Sequence, residues 1–147
     1  MTSTYKQELQ NILTLFNDNW VTGSPPTQLT PVAWPGFPFT VPLDAQGKPK
    51  DHVRIFVSSG EANQISIGAP SANRFRHPGM VTLKIFTRAG LGEMPAKELA
   101  DTFCDIFRNQ TVSGIRFKAP YSVTIGTSDD GFYQINAFCP FERDSLL

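Results

Sequence analysis

The chain has 147 residues, which fits one domain over residues 1–147 that can bury a core without metal or disulfide support. Lys and Arg together number 13, as do Asp and Glu, so the formal net charge is zero. This balance excludes the excess of cations that a general nucleic-acid binder uses to displace counterions. Charged residues make up 18% and aromatic residues 12%, a composition typical of a globular chain and not of a disordered one.

The start of the chain lacks the apolar run that a secretory signal needs, and no apolar stretch approaches the ~18 residues of a membrane span. The two cysteines, Cys104 and Cys139, lie outside any Cys-x-x-Cys pair, which favours reduced thiols acting as small hydrophobic residues. We therefore expect a protein that is made in a cytoplasm and has no membrane, metal or cofactor partner.

The first predicted element is an amphipathic helix over residues 4–18, with Thr2 or Ser3 as its N-cap. Polar side chains occupy one face of this helix. The apolar residues recur at spacings of three and four: Tyr5, Leu9, Ile12, Leu13 and Phe16.

Residues 21–50 form a proline-rich segment, called the arm below. It contains seven of the twelve prolines, which prevents regular helix and interior strand. Its aromatic residues Trp34, Phe37 and Phe39 would be costly to leave in water. We predict an extended arm whose aromatic middle packs on the domain's own sheet or on a neighbouring subunit, and these three residues are the candidate subunit interface.

Alternating apolar and polar residues predict six strands, at 52–58, 64–67, 80–88, 115–118, 122–126 and 132–138. The first two are expected to form a hairpin around Gly60, and Asp129-Asp130-Gly131 a tight turn between the last two. A second amphipathic helix is predicted from Pro95 to about residue 109. This order predicts an α+β fold, in which a mostly antiparallel sheet carries two α-helices on one face and leaves the other partly open.

Catalytic patterns are absent from the sequence. The two histidines, His52 and His77, belong to no Gly-x-Ser-x-Gly or His-Glu-x-x-His motif. Gly90-Leu91-Gly92 has Pro95 where a phosphate-binding loop would have its third glycine, so a strand-to-helix turn is the better interpretation. The sequence predicts no catalytic, cofactor-binding or metal-binding residue, and a protein that is not an enzyme.

One local cluster of positive charge comprises Arg74, Arg76 and His77, in a predicted loop before Pro78 and Gly79. It could contact an acidic partner or the phosphates of DNA. It could equally be a solvated loop, or an ion-pair network inside the fold. The sequence leaves these alternatives open.

Several segments carry a resemblance to a known family. They are the N-terminal helix, Trp34-Pro35 with Phe37-Pro38-Phe39 in the arm, the segments 53–56 and 74–87, Gly90-Leu91-Gly92 with the helix after it, and the last strand, 134–141. Over essentially its full length the chain resembles the tail terminator family of long-tailed, lambda-like bacteriophages, which are small tail-completion proteins.

This resemblance implies a non-enzymatic structural protein of the virion tail and neck. Its members form a hexameric ring that caps the tail tube, ends its polymerisation and presents the head-joining surface. The implied partners are further copies of the chain, the tail tube protein and a head-completion or neck protein. If Arg74 and Arg76 face the lumen, they would form a basic collar around passing DNA. The alternative function is an adaptor that captures a peptide or nucleic acid on an open sheet face.

Overall fold

The computed structural model describes residues 4–128 and 130–146, in which the chain forms two helices and ten strands. The helices are α1, Tyr5–Asn19, and α2, Met94–Phe107. The strands are β1 Val21–Thr22, β2 Thr27–Gln28, β3 Val32–Ala33, β4 His52–Ser59, β5 Asn63–Gln64, β6 Arg74–Arg88, β7 Thr111–Val112, β8 Ile115–Phe117, β9 Tyr121–Thr127 and β10 Phe132–Leu146.

Eight of these strands form one sheet, ordered β3-β4-β6-β10-β8-β7, with β5 also beside β6 and β9 also beside β10. Every pairing is antiparallel except that of β3 with β4. Strands β1 and β2 form a separate small hairpin within the arm. The predicted α+β class, with a mostly antiparallel sheet, is confirmed.

The centre of the sheet is the pair β6 and β10, which are aligned over fifteen residues from Arg88 opposite Phe132 to Arg74 opposite Leu146. Because side chains alternate along a strand, the odd-numbered residues of β4, β6 and β10 share one face. Those of the middle stretch are fully buried and include Ile55, Leu83 and Ile135. The even-numbered residues form the opposite face, called the open face below.

Both helices cover the odd-numbered face. Helix α1 buries Ile12 and Phe16, and α2 buries a longer stripe: Ala96, Ala100, Phe103, Cys104, Ile106 and Phe107. Helix α1 is capped by Thr4, whose Oγ1 accepts from the Gln7 amide at 3.2 Å while the Thr4 amide donates to Gln7 Oε1 at 3.0 Å. The predicted caps Thr2 and Ser3 lie outside the described residues. Neither helix of the described chain is long and apolar enough to cross a membrane.

The predicted hairpin around Gly60 is wrong, because β4 and β5 both pair with β6 and not with each other. The Gly60 amide donates to the Pro78 carbonyl at 2.8 Å. The chain that follows β4 therefore stays beside β6 as far as β5 and does not fold back on β4. Proline has no backbone N–H to donate, and Pro78 is tolerated inside the long strand because this position faces the break between β4 and β5, where regular pairing stops. Strand β6 therefore begins six residues before the predicted start at residue 80.

Strand β10 likewise extends past its predicted end at residue 138, to Leu146. Strand β9 is one residue longer at each end than the predicted 122–126. In the turn between them, Gly131 has a φ of +83° and its amide donates to the Ser128 carbonyl at 3.3 Å. This positive φ favours glycine, as the predicted tight turn requires. Asp129, which belongs to that predicted turn, lies outside the described residues.

Candidate functional site

The first half of the arm is part of the folded domain. Trp20, which directly precedes the arm, is fully buried, and its Nε1 donates to Thr30 Oγ1 of the arm at 3.0 Å. Val32 and Ala33 are buried and form β3, which pairs in parallel with β4. The arm therefore packs on its own sheet, one of the two arrangements predicted for it.

The aromatic middle of the arm wraps around the edge of β4. Trp34 contacts Phe16 of α1 edge-to-face, with ring centroids 6.1 Å apart, so it lies on the helix side of the sheet. Phe39 lies 5.6 Å from the ring of His52, which stacks at 4.9 Å on Phe86 of the open face. Two of the three predicted interface aromatics are thus partly buried within their own subunit.

Phe37, the third of these aromatics, lies between the two anchors and is 72% exposed. It ends a four-residue turn in which its amide donates to the Trp34 carbonyl at 3.3 Å. Pro35 occupies the second position and Gly36, with a φ of +78°, the third, as in a type II turn. This turn, residues 34–37, fixes the backbone that carries a large exposed apolar side chain.

The open face carries partly exposed apolar groups at its centre. Tyr121 of β9 stacks on Phe138 of β10, with ring centroids 5.3 Å apart. On the opposite side of the central pair, the ammonium of Lys84 lies 5.3 Å from the ring centroid of Phe56. Tyr121 is 47% and Phe56 38% exposed. Neither helix covers this face, so these rings are available to a partner.

The predicted positive loop is in fact the first part of β6, which corrects its assignment as a loop. Arg74 and Arg76 project from the open face and His77 from the helix side, so the strand separates the three residues. Arg76 makes a bidentate ion pair with Asp144 of β10, at 3.0 and 3.2 Å. A backbone that was predicted as loop is held in a strand because β10 pairs with it to Leu146.

Arg76 belongs to an ionic cluster at this end of the open face: Arg74, Arg76, Arg116, Lys118, Glu142 and Asp144. The side-chain hydrogen bond from Arg76, joined by one from Arg116, holds the pKa of the Asp144 carboxyl below its usual value. These arginines form an ion-pair network, which is one of the alternatives left open for them. The acidic partners were missed because β10 was predicted to end at residue 138.

His77 belongs to a buried polar cluster under the N-terminus of α1. Its Nε2 lies 2.7 Å from Ser145 Oγ, and its Nδ1 lies 3.4 Å from the Tyr5 hydroxyl. Beside them Arg143 Nε donates to Glu8 Oε1 at 2.9 Å. Burial, reinforced by the positive charge of Arg143, lowers the pKa of His77, which keeps the imidazole neutral near pH 7.

A serine–histidine pair at this distance is the starting point of nucleophilic catalysis, and sequence reasoning found no sign of it. In a catalytic triad a carboxylate orients the second imidazole nitrogen. Here that nitrogen faces the Tyr5 hydroxyl, and the nearby Glu8 carboxylate binds Arg143 instead. Ser145 is only 3% exposed. The arrangement therefore fits the stabilisation of a helix–sheet contact better than attack on a substrate.

Both cysteines are buried free thiols, as expected. Burial is the main reason why the pKa of Cys139 is raised to about 12, and it also raises the pKa of Cys104. Since the thiolate is the reactive form, neither side chain is suited to nucleophilic or redox chemistry near pH 7.

A cleft of about 570 Å³ lies between the start of the arm and α2. Its walls combine apolar side chains such as Leu29 and Leu99 with charged ones, and no described histidine or cysteine lines it. Arg88 is held there by Asp44 at 2.8 Å, and its amide donates to Asp51 at 2.9 Å. Among the described residues no group of three His, Cys, Asp or Glu side chains could hold a metal ion.

The fold and these surfaces define an α+β domain with one sheet face that neither helix covers. No family model and no curated protein matches the chain. Six chains of solved structures do. One of them, a protein whose name states no activity, aligns with 95% of this chain and 96% of its own length, at 18% identity and a TM-score of 0.61. At that identity the likeness concerns the fold alone.

Proposed function

We propose that the chain is a non-enzymatic structural protein of the phage virion, a tail terminator. In this role, copies of the chain form a hexameric ring on the end of the tail tube, stop its polymerisation and present the surface that joins the head. Its partners are then further copies of itself, the tail tube protein and a head-completion or neck protein. The full-length sequence resemblance motivates the proposal.

The observation that carries the proposal is the presentation of Phe37. The neighbouring aromatics Trp34 and Phe39 anchor the arm on opposite sides of the sheet, while Phe37 stays 72% exposed on a rigid turn. Leaving such a side chain in water is costly, and a fixed turn lowers the entropy lost when it binds. These are properties of an interface anchor, as expected for a protein that acts by assembly.

Contact between the ionic cluster and DNA in the lumen of the ring is an additional part of the proposal. It combines four cationic with two anionic side chains, so it keeps an excess of positive charge after its internal ion pairs are formed. Arg74 is 56% and Lys118 57% exposed, which leaves both accessible to phosphate groups. A ring would repeat this patch in every copy.

Light scattering and electron microscopy of the protein, alone and with purified tail tubes, test the proposal. The native chain is expected to form rings and to occupy tube ends. Phe37→Ala is expected to weaken ring formation, whereas Leu43→Ala, which removes another exposed apolar side chain of the arm, should not. Equal thermal stability of the two variants would show that folding is intact. A native protein that stays monomeric and ignores tube ends would refute the proposal.

The alternative is an adaptor that binds a peptide or a nucleic acid on the open face. The exposed stack of Tyr121 on Phe138 favours it, because aromatic platforms of this kind hold bases and apolar side chains. Binding measured over a salt titration separates the two ligands, since only affinity for nucleic acid should fall steeply with salt. A monomeric protein that binds either ligand would support the adaptor.

A further inference from the structure

Two of the edges of the described sheet, formed by β9 and by β5, lie at opposite corners. Strand β9 pairs with β10 on one side, and within the described chain no backbone hydrogen bond reaches its other side. The segment 63–67, which begins with β5, pairs only with the start of β6, and there the Ile65 amide donates to the Arg74 carbonyl at 2.8 Å. Strand β9 presents unpaired backbone groups to solvent, whereas in the segment 63–67 the Ser66 carbonyl accepts from Gln64 Nε2 at 2.8 Å.

Neither edge carries the charges or prolines that keep edge strands apart, and the protection present is limited to the short length of β5, two residues, and a bulge in β9 where its register with β10 shifts beside Ile135. Proteins block exposed edges with charged side chains, prolines or covering loops. The sequences of β9 and of 63–67, Tyr-Ser-Val-Thr-Ile-Gly-Thr and Asn-Gln-Ile-Ser-Ile, contain no charged residue and no proline. Their apolar side chains are exposed as well, with Ile125 at 55% and Ile67 at 90%. Beside β4, in contrast, the edge is covered by β3 and the proline-bearing turn 34–37.

The two edges also match in the faces to which their side chains point. Tyr121 and Val123 of β9 lie on the open face, because they pair with Phe138 and Asn136. Continuing the register of β5 places Ile65 opposite Arg74, which is also on the open face. On the helix side, Ser122 and Thr124 of β9 correspond to Gln64. Joined edges would therefore place apolar beside apolar and polar beside polar side chains.

We propose that β9 of one copy of the chain pairs with the segment 63–67 of the next copy, so that the sheets continue from subunit to subunit. Each copy donates one edge and accepts at the other. Such a heterologous contact generates a ring when its rotation closes, whereas pairing of β9 with β9 would end at a dimer. The occupant is a second copy because one chain carries both matching edges and has no net charge to repel its copies. This inference deepens the proposed ring and rests on it.

The size of the contact predicts how assembly depends on concentration. A five-residue strand pair is only about 17 Å long. It falls short of the roughly 800 Å² per partner of a standard interface, so a single contact of this kind is weak. In a closed ring every copy makes two such contacts. Rings should therefore appear cooperatively as concentration rises, with little dimer.

Placing opposite charges on the two edges tests the pairing. Val123→Lys and Ile65→Glu are each expected to weaken association by about tenfold, since a charge without a partner is placed in a closed strand pair. The double variant should recover much of the association, because its lysine then meets the glutamate of the next copy. Leu91→Lys, which adds a charge at another exposed apolar side chain, is the matched control and should assemble normally.

Analytical ultracentrifugation gives the readout, and thermal melts verify that each variant is folded. Rings that persist in both single variants would overturn the strand pairing while leaving the proposed ring intact. Loss in Val123→Lys alone, without rescue in the double variant, would overturn it in favour of β9 pairing with itself. A native chain that never associates would overturn both proposals. Loss in both single variants with recovery in the double variant would establish the pairing.

Discussion

Replacing Glu8 by glutamine is expected to destabilise the protein strongly. The side chains of Glu8 and Arg143 are 2% and 1% exposed, with Arg143 Nε only 2.9 Å from Glu8 Oε1. The substitution removes the charge of the carboxylate that Arg143 Nε contacts in the interior, and breaking a buried ion pair costs about 3–5 kcal/mol. A domain of this size is stable by about 5–15 kcal/mol, so this loss is a large fraction of the total. At about 2–4 °C per kcal/mol, it lowers the melting temperature by about 6–20 °C. Urea unfolding of the native chain and of the variant measures the change in the free energy of unfolding.

The matched control is Asp105→Asn, which breaks the ion pair of Asp105 with Arg108. That pair is as short, at 2.7 Å, but its side chains are 70% and 55% exposed. Its loss should cost less than about 1 kcal/mol because water screens both charges. If Glu8→Gln were as mild as Asp105→Asn, the burial argument would be refuted, since the two pairs differ chiefly in exposure.

Three further predictions concern the central strands. Gly79→Ala should cost about 1–3 kcal/mol in urea unfolding, because its Cβ would collide with the ring of Phe141 in a packed core. Arg76→Ala should lower stability by less than about 1 kcal/mol, since Arg76 is 38% exposed despite its bidentate contact with Asp144; a larger drop would mean that the ionic cluster holds the strands together. The pKa of His77 lies below its ordinary 6.5, so the unfolded chain binds this proton more readily. The stability that neutral His77 contributes is complete above pH 6.5, the ordinary pKa, and is lost as the pH falls below 6.5. His77→Gln should therefore flatten the dependence of the free energy of unfolding on pH between about pH 7.5 and 5.5. An unchanged slope in that variant would assign the acid sensitivity to other groups.

Among the candidate residues, Phe37 follows from the sequence as a candidate only, because a phenylalanine between prolines, in a segment that cannot form helix or interior strand, is visible without a structure. The pairing of Arg76 with Asp144 does not follow from the sequence, since the two residues are 68 positions apart and meet only through the register of β6 and β10. The contact of His77 with Ser145 was missed for the same reason.

Both helices and the alternating middles of β6 and β10 follow from the sequence alone, because a stripe of apolar residues at helical or strand spacing has one favourable way to be buried. The tertiary structure decided how far those strands run. Pro78 and Gly79 interrupt the pattern in β6, and Glu142 with Asp144 resembles a solvated tail, so local preference ends both strands early. Across the sheet, Pro78 faces the break between β4 and β5, where no N–H is needed, and Phe141 fills the space above Gly79. Arg76 and Arg116, on the neighbouring strands, pair with the carboxylates of Asp144 and Glu142. Partners distant in the chain thus supply the stabilisation that these residues lack locally.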